Sequence, residues 1–181
     1  GYTRELYLKL ITKLRHTCPD IAITSDIIVG FPGETKGDFE ETLDLINTIK
    51  FDSIFAFAYS DRPNTPAGRF KNKVSQVQKK ERLQAVLDLQ AQNTHQIHTR
   101  LVGTIQTVLV EGSSKKQNKG IQDAAVDQIQ WTGRTSGNRI VNFSDSCGPG
   151  LKSNIRVGTI QAVSIERAFA HSLWGRVLKG T

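Results

Sequence analysis

The sequence predicts two folds in one chain, an α/β portion in the first half and an all-β portion in the second. The first half alternates helix-patterned stretches with short apolar runs, as in parallel strands joined by helices. From Val102 onward, short runs of alternating apolar and polar residues are separated by glycine-rich turns, which is typical of a small β-barrel. The charge changes in the same region. Residues 1–98 hold 13 Lys and Arg against 12 Asp and Glu, and residues 99–181 hold 11 against 5. We therefore predict two domains, 1–98 and 99–181.

The first half is centred on the stretch Thr24–Thr35, TSDIIVGFPGET. The apolar run Ile21–Val29 indicates a strand that is buried on both faces, as in a parallel sheet under helices. The Gly-Phe-Pro-Gly turn that follows cannot continue a strand, because proline lacks an N–H and glycine suits positive φ. Thr35 and Asp38 then form a capping-box pattern that begins a helix. Ligands bind at the carboxyl ends of such strands, but an ordinary βα turn that binds nothing fits the same spacing.

The other elements of this half follow from the same kinds of pattern. Helices are predicted for Thr3–Arg15 and Asp38–Lys50, and a third helix opens at Ser75 with Gln78 in a capping box. The apolar run within Asp52–Tyr59 indicates a second buried strand. A strand–helix–strand crossover implies that the two strands are parallel.

The sequence gives little indication of a metal site or of a membrane-spanning segment. His95 and His98 are spaced to share a metal, but no third ligand accompanies them, so we interpret both as polar residues on the helix surface. Cys18 and Cys147 are far apart and form neither a metal motif nor a disulfide framework. No apolar run approaches the length of a membrane span, and no signal-peptide pattern is present. We expect a cytoplasmic protein and no metal ligands in this chain.

Five short strands are predicted in the second half, and they fit a small antiparallel β-barrel of the OB type. They are GTIQTVLVEG, Gln130–Thr132, Asn138–Phe143, Val157–Ile165 and Ser172–Leu178. Barrels of this class bind single-stranded nucleic acid through basic and aromatic side chains. The basic residues expected to contact a polyanion are Lys115, Lys116, Lys119, Arg134 and Arg139. An alternative is that Arg134 and Arg139 only cap turns on a solvated surface. Phe143, Trp131 and Trp174 are candidates for base stacking, although core positions suit them better.

Several stretches, taken in order, resemble the second half of the radical-SAM methylthiotransferases. In the first half they are GYTRELYLKLITKLR, PDIAITSDIIVGFPGET, FDSIFAFAYSDRPNTPAG and KKERLQAVLDLQ. In the second half, LVGTIQTVLVEGSSKK, WTGRT, NRIVNF and SLWGRVL resemble the C-terminal TRAM domain of that family. The resemblance implies that residues 1–98 are the C-terminal part of a TIM-like radical-SAM βα barrel. It implies that residues 99–181 are a TRAM domain that grips substrate RNA.

The resemblance also implies a set of cofactors. Family members bind S-adenosylmethionine and two 4Fe-4S clusters, one on three cysteines of an N-terminal domain and one on a CxxxCxxC loop. In this family, reductive cleavage of S-adenosylmethionine makes a 5′-deoxyadenosyl radical. The radical abstracts hydrogen from an unreactive carbon, which then receives sulfur and methyl. This chain has neither cysteine set. We therefore expect it to be a fragment of a longer enzyme, without the clusters, without a catalytic residue of its own and inactive alone. The electron and sulfur donors are not identified by the sequence.

By the same resemblance, the loop after the first strand lines the adenine side of S-adenosylmethionine, with two strand residues just inside the barrel mouth. The expected cofactor-binding residues are Ser25, Asp26, Gly30, Phe31, Pro32 and Gly33. Residues after the second strand are expected to face cofactor or substrate, and these are Tyr59, Arg62 and Asn64. Because a pair of barrel strands leaves a sheet edge unpaired, we also expect the fragment to self-associate.

The basic second half, the RPNTP loop and the GRTSGNRIVNF stretch favour tRNA as the substrate over a ribosomal protein. The resemblance points to the tRNA isopentenyladenosine methylthiotransferases (the MiaB family), which add a methylthio group to C2 of N6-isopentenyladenosine near the anticodon. Asp61 and Asn64 stand where the family usually has proline and glycine, and QDAAVDQIQ is inserted before WTGRT. These departures leave the threonylcarbamoyladenosine branch open. A non-catalytic RNA-binding module is the alternative from another class.

Overall fold

A computed structural model of the chain describes residues 2–114, 130–145 and 155–178. The chain divides into two compact units, Gly1–Thr94 and His95–Thr181. The helices are α1 (Arg4–Thr17), α2 (Lys36–Ile49) and α3 (Gln76–Arg100), and Pro66–Arg69 is a short 3-10 turn. The strands are β1 (Thr24–Val29), β2 (Ser53–Ala58), β3 (Ile105–Ser113), β4 (Gln130–Thr135), β5 (Ile140–Ser144), β6 (Ile160–Ala168) and β7 (Leu173–Val177). In this part of the chain, none of the helices combines the length and apolar character that crossing a bilayer requires.

The three helices begin where their capping residues predict. The Thr3 side chain accepts a backbone N–H of the first turn of α1. The Thr35 hydroxyl accepts the Asp38 N–H at 3.1 Å, and the Asp38 carboxylate accepts the Thr35 N–H at 2.8 Å, so the predicted capping box is confirmed. Ser75 and Gln78 exchange the equivalent two bonds before α3. These bonds satisfy N–H groups that a helix leaves unpaired, which is why local sequence predicts the helix starts.

Strands β1 and β2 pair in parallel, as the crossover predicts, from Thr24 opposite Ser53 to Val29 opposite Ala58. One face of this pair packs on a core that the helices complete. Its most buried members are Val29, Ile46, Ile49, Phe51 and Val86, each at most 1% exposed. The parallel pairing brings the carboxyl ends of both strands to one edge of the sheet.

The expectations that β1 is buried on both faces and that β2 is a buried strand are wrong. Along both strands exposed and less exposed positions alternate, and Ile28, Phe55 and Phe57 are 57%, 62% and 55% exposed on the second face. Successive side chains of a strand point to opposite faces, so helices on one face leave the other uncovered. The apolar run hid this alternation because both faces carry apolar residues. The expected self-association through this sheet stays a prediction.

The five strands β3 to β7 close into a barrel in the order β3-β4-β5-β7-β6, with β6 paired to β3. The predicted small five-stranded barrel is therefore confirmed, but the expectation that it is antiparallel throughout is wrong. Strands β5 and β7 run parallel. Strand β6 is antiparallel to β3, and β7 is antiparallel to β6, so β7 runs in the same direction as β3. Strand β5 also runs in that direction, and the neighbouring strands β5 and β7 are therefore parallel.

The barrel interior is filled by apolar side chains from its strands, with Trp131 of β4 only partly buried against them. The most buried are Val108, Val110, Val141, Phe143, Val163, Ile165 and Leu173, each at most 1% exposed. Strand β4 instead contributes Gly133, where an added Cβ would lie 2.2 Å from the Leu109 carbonyl oxygen. Gly175 of β7 is as tight, with a Cβ position 2.1 Å from the Ser164 carbonyl oxygen. The two glycines therefore permit close approach of neighbouring strands.

Gly133→Ala and Gly175→Ala should each destabilise the barrel, because the new methyl group meets backbone oxygen that cannot move aside. We expect a loss of about 1–3 kcal/mol or more in the free energy of unfolding, the usual cost of overpacking. Urea unfolding of the 181-residue chain measures it. Gly112→Ala is the matched control, since its Cβ would meet nothing within 4 Å. Equal midpoints for all three variants would contradict the close-approach role.

Candidate functional site

A cleft of about 530 Å³ opens at the carboxyl ends of β1 and β2. Its walls come from the last residues of both strands and from the loop after each. The lining residues are Asp26, Ile28, Phe31, Phe57, Ala58, Tyr59, Ser60, Arg62, Thr65 and Ala67. Its volume lies in the range of small-molecule sites, and an apolar lining with a few polar groups is their usual character. Asp26 and Arg62 are the charged members of this lining.

The aromatic wall of the cleft is built around Phe31. Its ring contacts Tyr59 edge-to-face, with centroids 5.0 Å apart and planes at 69°, and lies 6.2 Å from the ring of Phe70 at 80°. Such tilted contacts are favourable for aromatic pairs. Phe31 remains 41% exposed, so part of the ring is accessible to a ligand.

Helix α3 holds the loop that follows β1. The Glu34 carboxylate accepts the Gly30 N–H, and Arg82 of α3 donates to Glu34 Oε2 at 2.8 Å and to the Glu34 carbonyl oxygen at 3.1 Å. Both charged side chains are only 11% exposed. Gly30 has a φ of +71° and packs against Lys79, whose Cγ would lie 2.4 Å from a Cβ at this position. The loop is therefore set by an ion pair and by a glycine that no other residue can replace without displacement.

Two lysines hold the segment that follows β2. Lys79 is 4% exposed, and its Nζ donates to the Tyr59 carbonyl oxygen at 3.0 Å and lies 5.2 Å from the centroid of the Tyr59 ring. Lys73 pairs with Asp61 and donates to the carbonyl oxygens of Ala67 and Gly68 at 3.3 and 3.1 Å. The segment after β2 is thus tied down at several points by the ammonium of Lys73.

Tyr59 and Asp61 titrate away from their ordinary values because of these contacts. The hydrogen bond from Lys73 is the main cause that lowers the pKa of Asp61, and the Tyr59 hydroxyl, which donates to Asp61 at 3.1 Å, adds to it. Loss of solvation, followed by the hydrogen bond to Asp61, raises the pKa of Tyr59. Asp61 is therefore held as a carboxylate and Tyr59 as a neutral phenol.

The structure brings together only some of the residues that the resemblance assigned to the cofactor. Asp26 and Phe31 line the cleft, whereas Gly30, Pro32 and Gly33 shape the loop without lining it. Ser25 does not line the cleft. As the strand neighbour of Asp26 it points to the other face, where its hydroxyl neighbours that of Tyr7.

Tyr59 and Arg62 also line the cleft, as expected, but Asn64 does not. Asn64 has a φ of +65°, in the left-handed region. Asparagine tolerates that conformation better than most residues with a Cβ, which explains how it stands where the family usually has glycine.

Of the basic residues predicted to contact a polyanion, Arg134 and Arg139 lie in the described part of the barrel. Lys115, Lys116 and Lys119 lie outside the described residues. The Arg134 guanidinium donates to the carbonyl and side-chain oxygens of Asn138 at 3.1 and 3.0 Å, and its Nε lies 3.2 Å from Glu111. Arg139 follows the same turn, where its backbone N–H donates to the Thr135 hydroxyl at 3.2 Å. The alternative of turn capping therefore describes Arg134 well.

Two further expectations are corrected. Phe143 is fully buried in the barrel core, so its ring faces other side chains and cannot stack on a base. His98 was expected on the helix surface, but it is 5% exposed and its Nδ1 lies 2.8 Å from the Phe169 carbonyl oxygen. Among the described residues, no group of three or more His, Cys, Asp and Glu is placed to hold a metal.

Sequence reasoning missed Lys79 and Arg82, although a signal was present. The apolar stripe of α3 includes Leu83 and Val86, and continuing its spacing toward the amino terminus reaches positions 79 and 82. Charged residues within an apolar stripe must find partners when the helix packs. Here those partners are the cleft loops.

Several known proteins that this chain resembles in sequence carry the same name. No protein-family model matches the chain. It is 45% identical over 174 residues to a tRNA-2-methylthio-N(6)-dimethylallyladenosine synthase of Desulfosudis oleivorans, which covers 96% of this chain and 37% of that protein. Proteins of the same name are 44% identical in Syntrophus aciditrophicus (98% and 35%) and 42% identical in Yersinia pestis (99% and 34%). The chain spans about a third of the length of these curated relatives.

Asp61→Asn should destabilise the chain in a pH-dependent way. The folded state lowers the Asp61 pKa below the ordinary value of 3.8, so its contribution to stability is present above pH 3.8 and is lost as pH falls through the lower folded value. The thermal midpoint of the variant should therefore lie below that of the wild type at pH 7, and the difference should close in acid. Lys73→Met should behave the same way. A difference that is constant from pH 7 to strong acid would rule this out.

Proposed function

We propose that this chain, which belongs to the tRNA-2-methylthio-N(6)-dimethylallyladenosine synthase family, forms part of such an enzyme. It would supply a cofactor cleft and a barrel that contacts RNA. The enzyme would add a methylthio group to C2 of N6-isopentenyladenosine near the tRNA anticodon. N6-isopentenyladenosine and N6-dimethylallyladenosine are two names for the same nucleoside. The observation that carries the proposal is 42–45% identity over 91–99% of the chain. All of these relatives are named for dimethylallyladenosine, so we prefer it to threonylcarbamoyladenosine or a ribosomal protein.

We assign residues 1–98 to the C-terminal part of a radical-SAM βα barrel and 99–181 to a TRAM domain of OB type. The parallel β1–β2 pair, with its cleft at the carboxyl ends, supports the first assignment. The closed five-stranded barrel and its excess of basic residues support the second. A cytoplasmic location is part of the same proposal, because tRNA is the substrate.

The cleft residues have the chemistry that S-adenosylmethionine needs. Phe31 and Phe57 offer apolar surface to adenine, the Arg62 guanidinium suits a carboxylate, and Asp26 can accept hydrogen bonds from hydroxyl or ammonium groups. The bound cofactor supplies the methyl group and, with 4Fe-4S clusters, the chemistry that activates an unreactive carbon. With two separated cysteines, this chain lacks a ligand set for such a cluster. We propose that other parts of the longer protein hold the clusters and that this chain alone is inactive.

A segment exchange tests the proposal directly. The matching segment of the Desulfosudis oleivorans relative is replaced by this chain, and the chimera is expressed in a bacterium that lacks its own synthase. We expect 2-methylthio-N6-dimethylallyladenosine in the tRNA, measured by nucleoside mass spectrometry. The unaltered relative and the relative without the segment are the controls. A soluble, folded chimera that leaves only the unthiolated base would count against the proposed function, and would favour a non-catalytic RNA-binding module.

Phe31→Ala in that chimera should weaken S-adenosylmethionine binding. Base–aromatic contacts contribute about 1–3 kcal/mol, which corresponds to an increase in Kd of roughly 5- to 140-fold. Phe55→Ala is the matched control, because Phe55 is an exposed phenylalanine of β2 that is not in the lining of the cleft. Equilibrium dialysis with labelled cofactor measures the Kd. Equal effects of the two substitutions would exclude a specific contact with Phe31.

A further inference from the structure

Two arginines lie beside an indole ring on the outside of the barrel, at neighbouring positions of β6 and β7. We call Arg167 of β6 with Trp174 and Arg176 of β7 the Arg–Trp–Arg group. The guanidinium carbon of each arginine lies 5.7 Å from the centroid of the indole ring. Trp174 points outward because its neighbour Leu173 fills the core. The indole is 8% exposed, while both arginines are exposed.

A β-bulge in β6 creates this arrangement. Ile165 lies opposite Gly175 and Arg167 lies opposite Trp174, so Glu166 is the extra residue between two paired positions. Bulges re-aim side chains, and they are frequent next to functional sites. Without the bulge, Arg167 would fall out of register with the indole. The extra residue is also used, because Glu166 lies 3.3 Å from Nε of Arg176.

The stacking leaves the hydrogen-bond donors of these arginines available. A cation–π contact is an attraction between the charge and the ring, and it gives the five N–H donors of a guanidinium no oxygen acceptor. Within the described residues, the contact seen for the Arg167 side chain is the one with the Trp174 ring, and no acceptor oxygen engages its guanidinium. Arg176 uses Nε toward Glu166, and its side chain remains 61% exposed. Arg134 is the contrast on the same barrel, since its donors already bind Asn138 and Glu111.

We propose that Arg167 and Arg176 form a phosphate clamp for the RNA backbone on the β6–β7 face of the barrel. Two planar guanidiniums held near one indole ring, on side chains that remain exposed, suit the bidentate recognition of phosphate oxygens. The inference rests on the proposed tRNA substrate and names the side chains of the barrel that contact it. The clamp positions RNA and carries no base specificity, because phosphates are the same at every nucleotide.

Titration of tRNA with the 181-residue chain at several salt concentrations tests the clamp. Arg167→Gln with Arg176→Gln should lower affinity roughly tenfold at moderate salt and reduce the log–log salt slope by about 1.4 to 1.8, the share of two phosphate contacts. Arg167→Lys with Arg176→Lys keeps the charge but loses the planar fork, and we expect it to lose most of the same affinity. Arg156 is an exposed residue that precedes β6. Arg134→Gln with Arg156→Gln removes the same charge from this barrel and should have a clearly smaller effect.

Fluorescence locates the contact. The chain has two tryptophans, Trp131 and Trp174, so Trp131→Phe leaves Trp174 as the reporter, and tRNA should change its emission. Near-UV circular dichroism confirms that each variant is folded. Inorganic phosphate at matched ionic strength should not displace tRNA; displacement would assign the site to free phosphate instead.

The failures of the two proposals differ. If the wild-type chain does not bind tRNA at low salt, both the RNA-contacting role of the barrel and the clamp are contradicted. Wild-type binding that both glutamine pairs weaken equally, or that the lysine pair leaves unchanged, would overturn the clamp alone. In that case binding would reflect the diffuse positive charge of the barrel.

Discussion

The ion pair between Glu34 and Arg82 is the contact on which the cleft depends. It joins the loop after β1 to the first turns of α3, and Glu34 also receives the Gly30 N–H. Both side chains are largely removed from water, where an unpaired charge is costly. Removing either partner of such a pair leaves an uncompensated buried charge, so each side chain holds the other in this position. Lys79, one turn earlier on α3, extends the same constraint to the end of β2.

The parallel pairing of β1 and β2 gives the cleft its composition. Because both strands end at the same edge, side chains from two distant loops meet there. The cost is an exposed apolar face, on which Ile28, Phe55 and Phe57 are more than half exposed. Apolar surface of this extent is typical of contact regions. Its exposure accords with the proposed place of this segment in a larger barrel.

Arginines on the barrel show how local geometry decides the use of a charge. The donors of Arg134 bind Asn138 and Glu111, whereas Arg167 and Arg176 lie near the Trp174 ring and remain exposed. The excess of basic residues predicts attraction to a polyanion but does not say which side chains make contact. Formal charge is a property of composition, while free donors depend on the partners that folding supplies.

The sequence by itself determined the local features of this protein. Capping residues predicted the starts of α1, α2 and α3, and turn residues with alternating patterns predicted the five barrel strands. Motifs in order predicted the family. Each of these signals acts between residues that are close along the chain, so it can be read before the chain folds.

Only the tertiary structure decided which side chains meet. It placed Asp26 rather than Ser25 in the cleft, buried Phe143 and His98, made β5 and β7 parallel, and stacked Arg167 on Trp174. The partners in these contacts come from different strands and helices, and a shift of one residue in strand register or a single bulge changes them. Composition and periodicity carry no record of that register, because it is set by packing between distant segments.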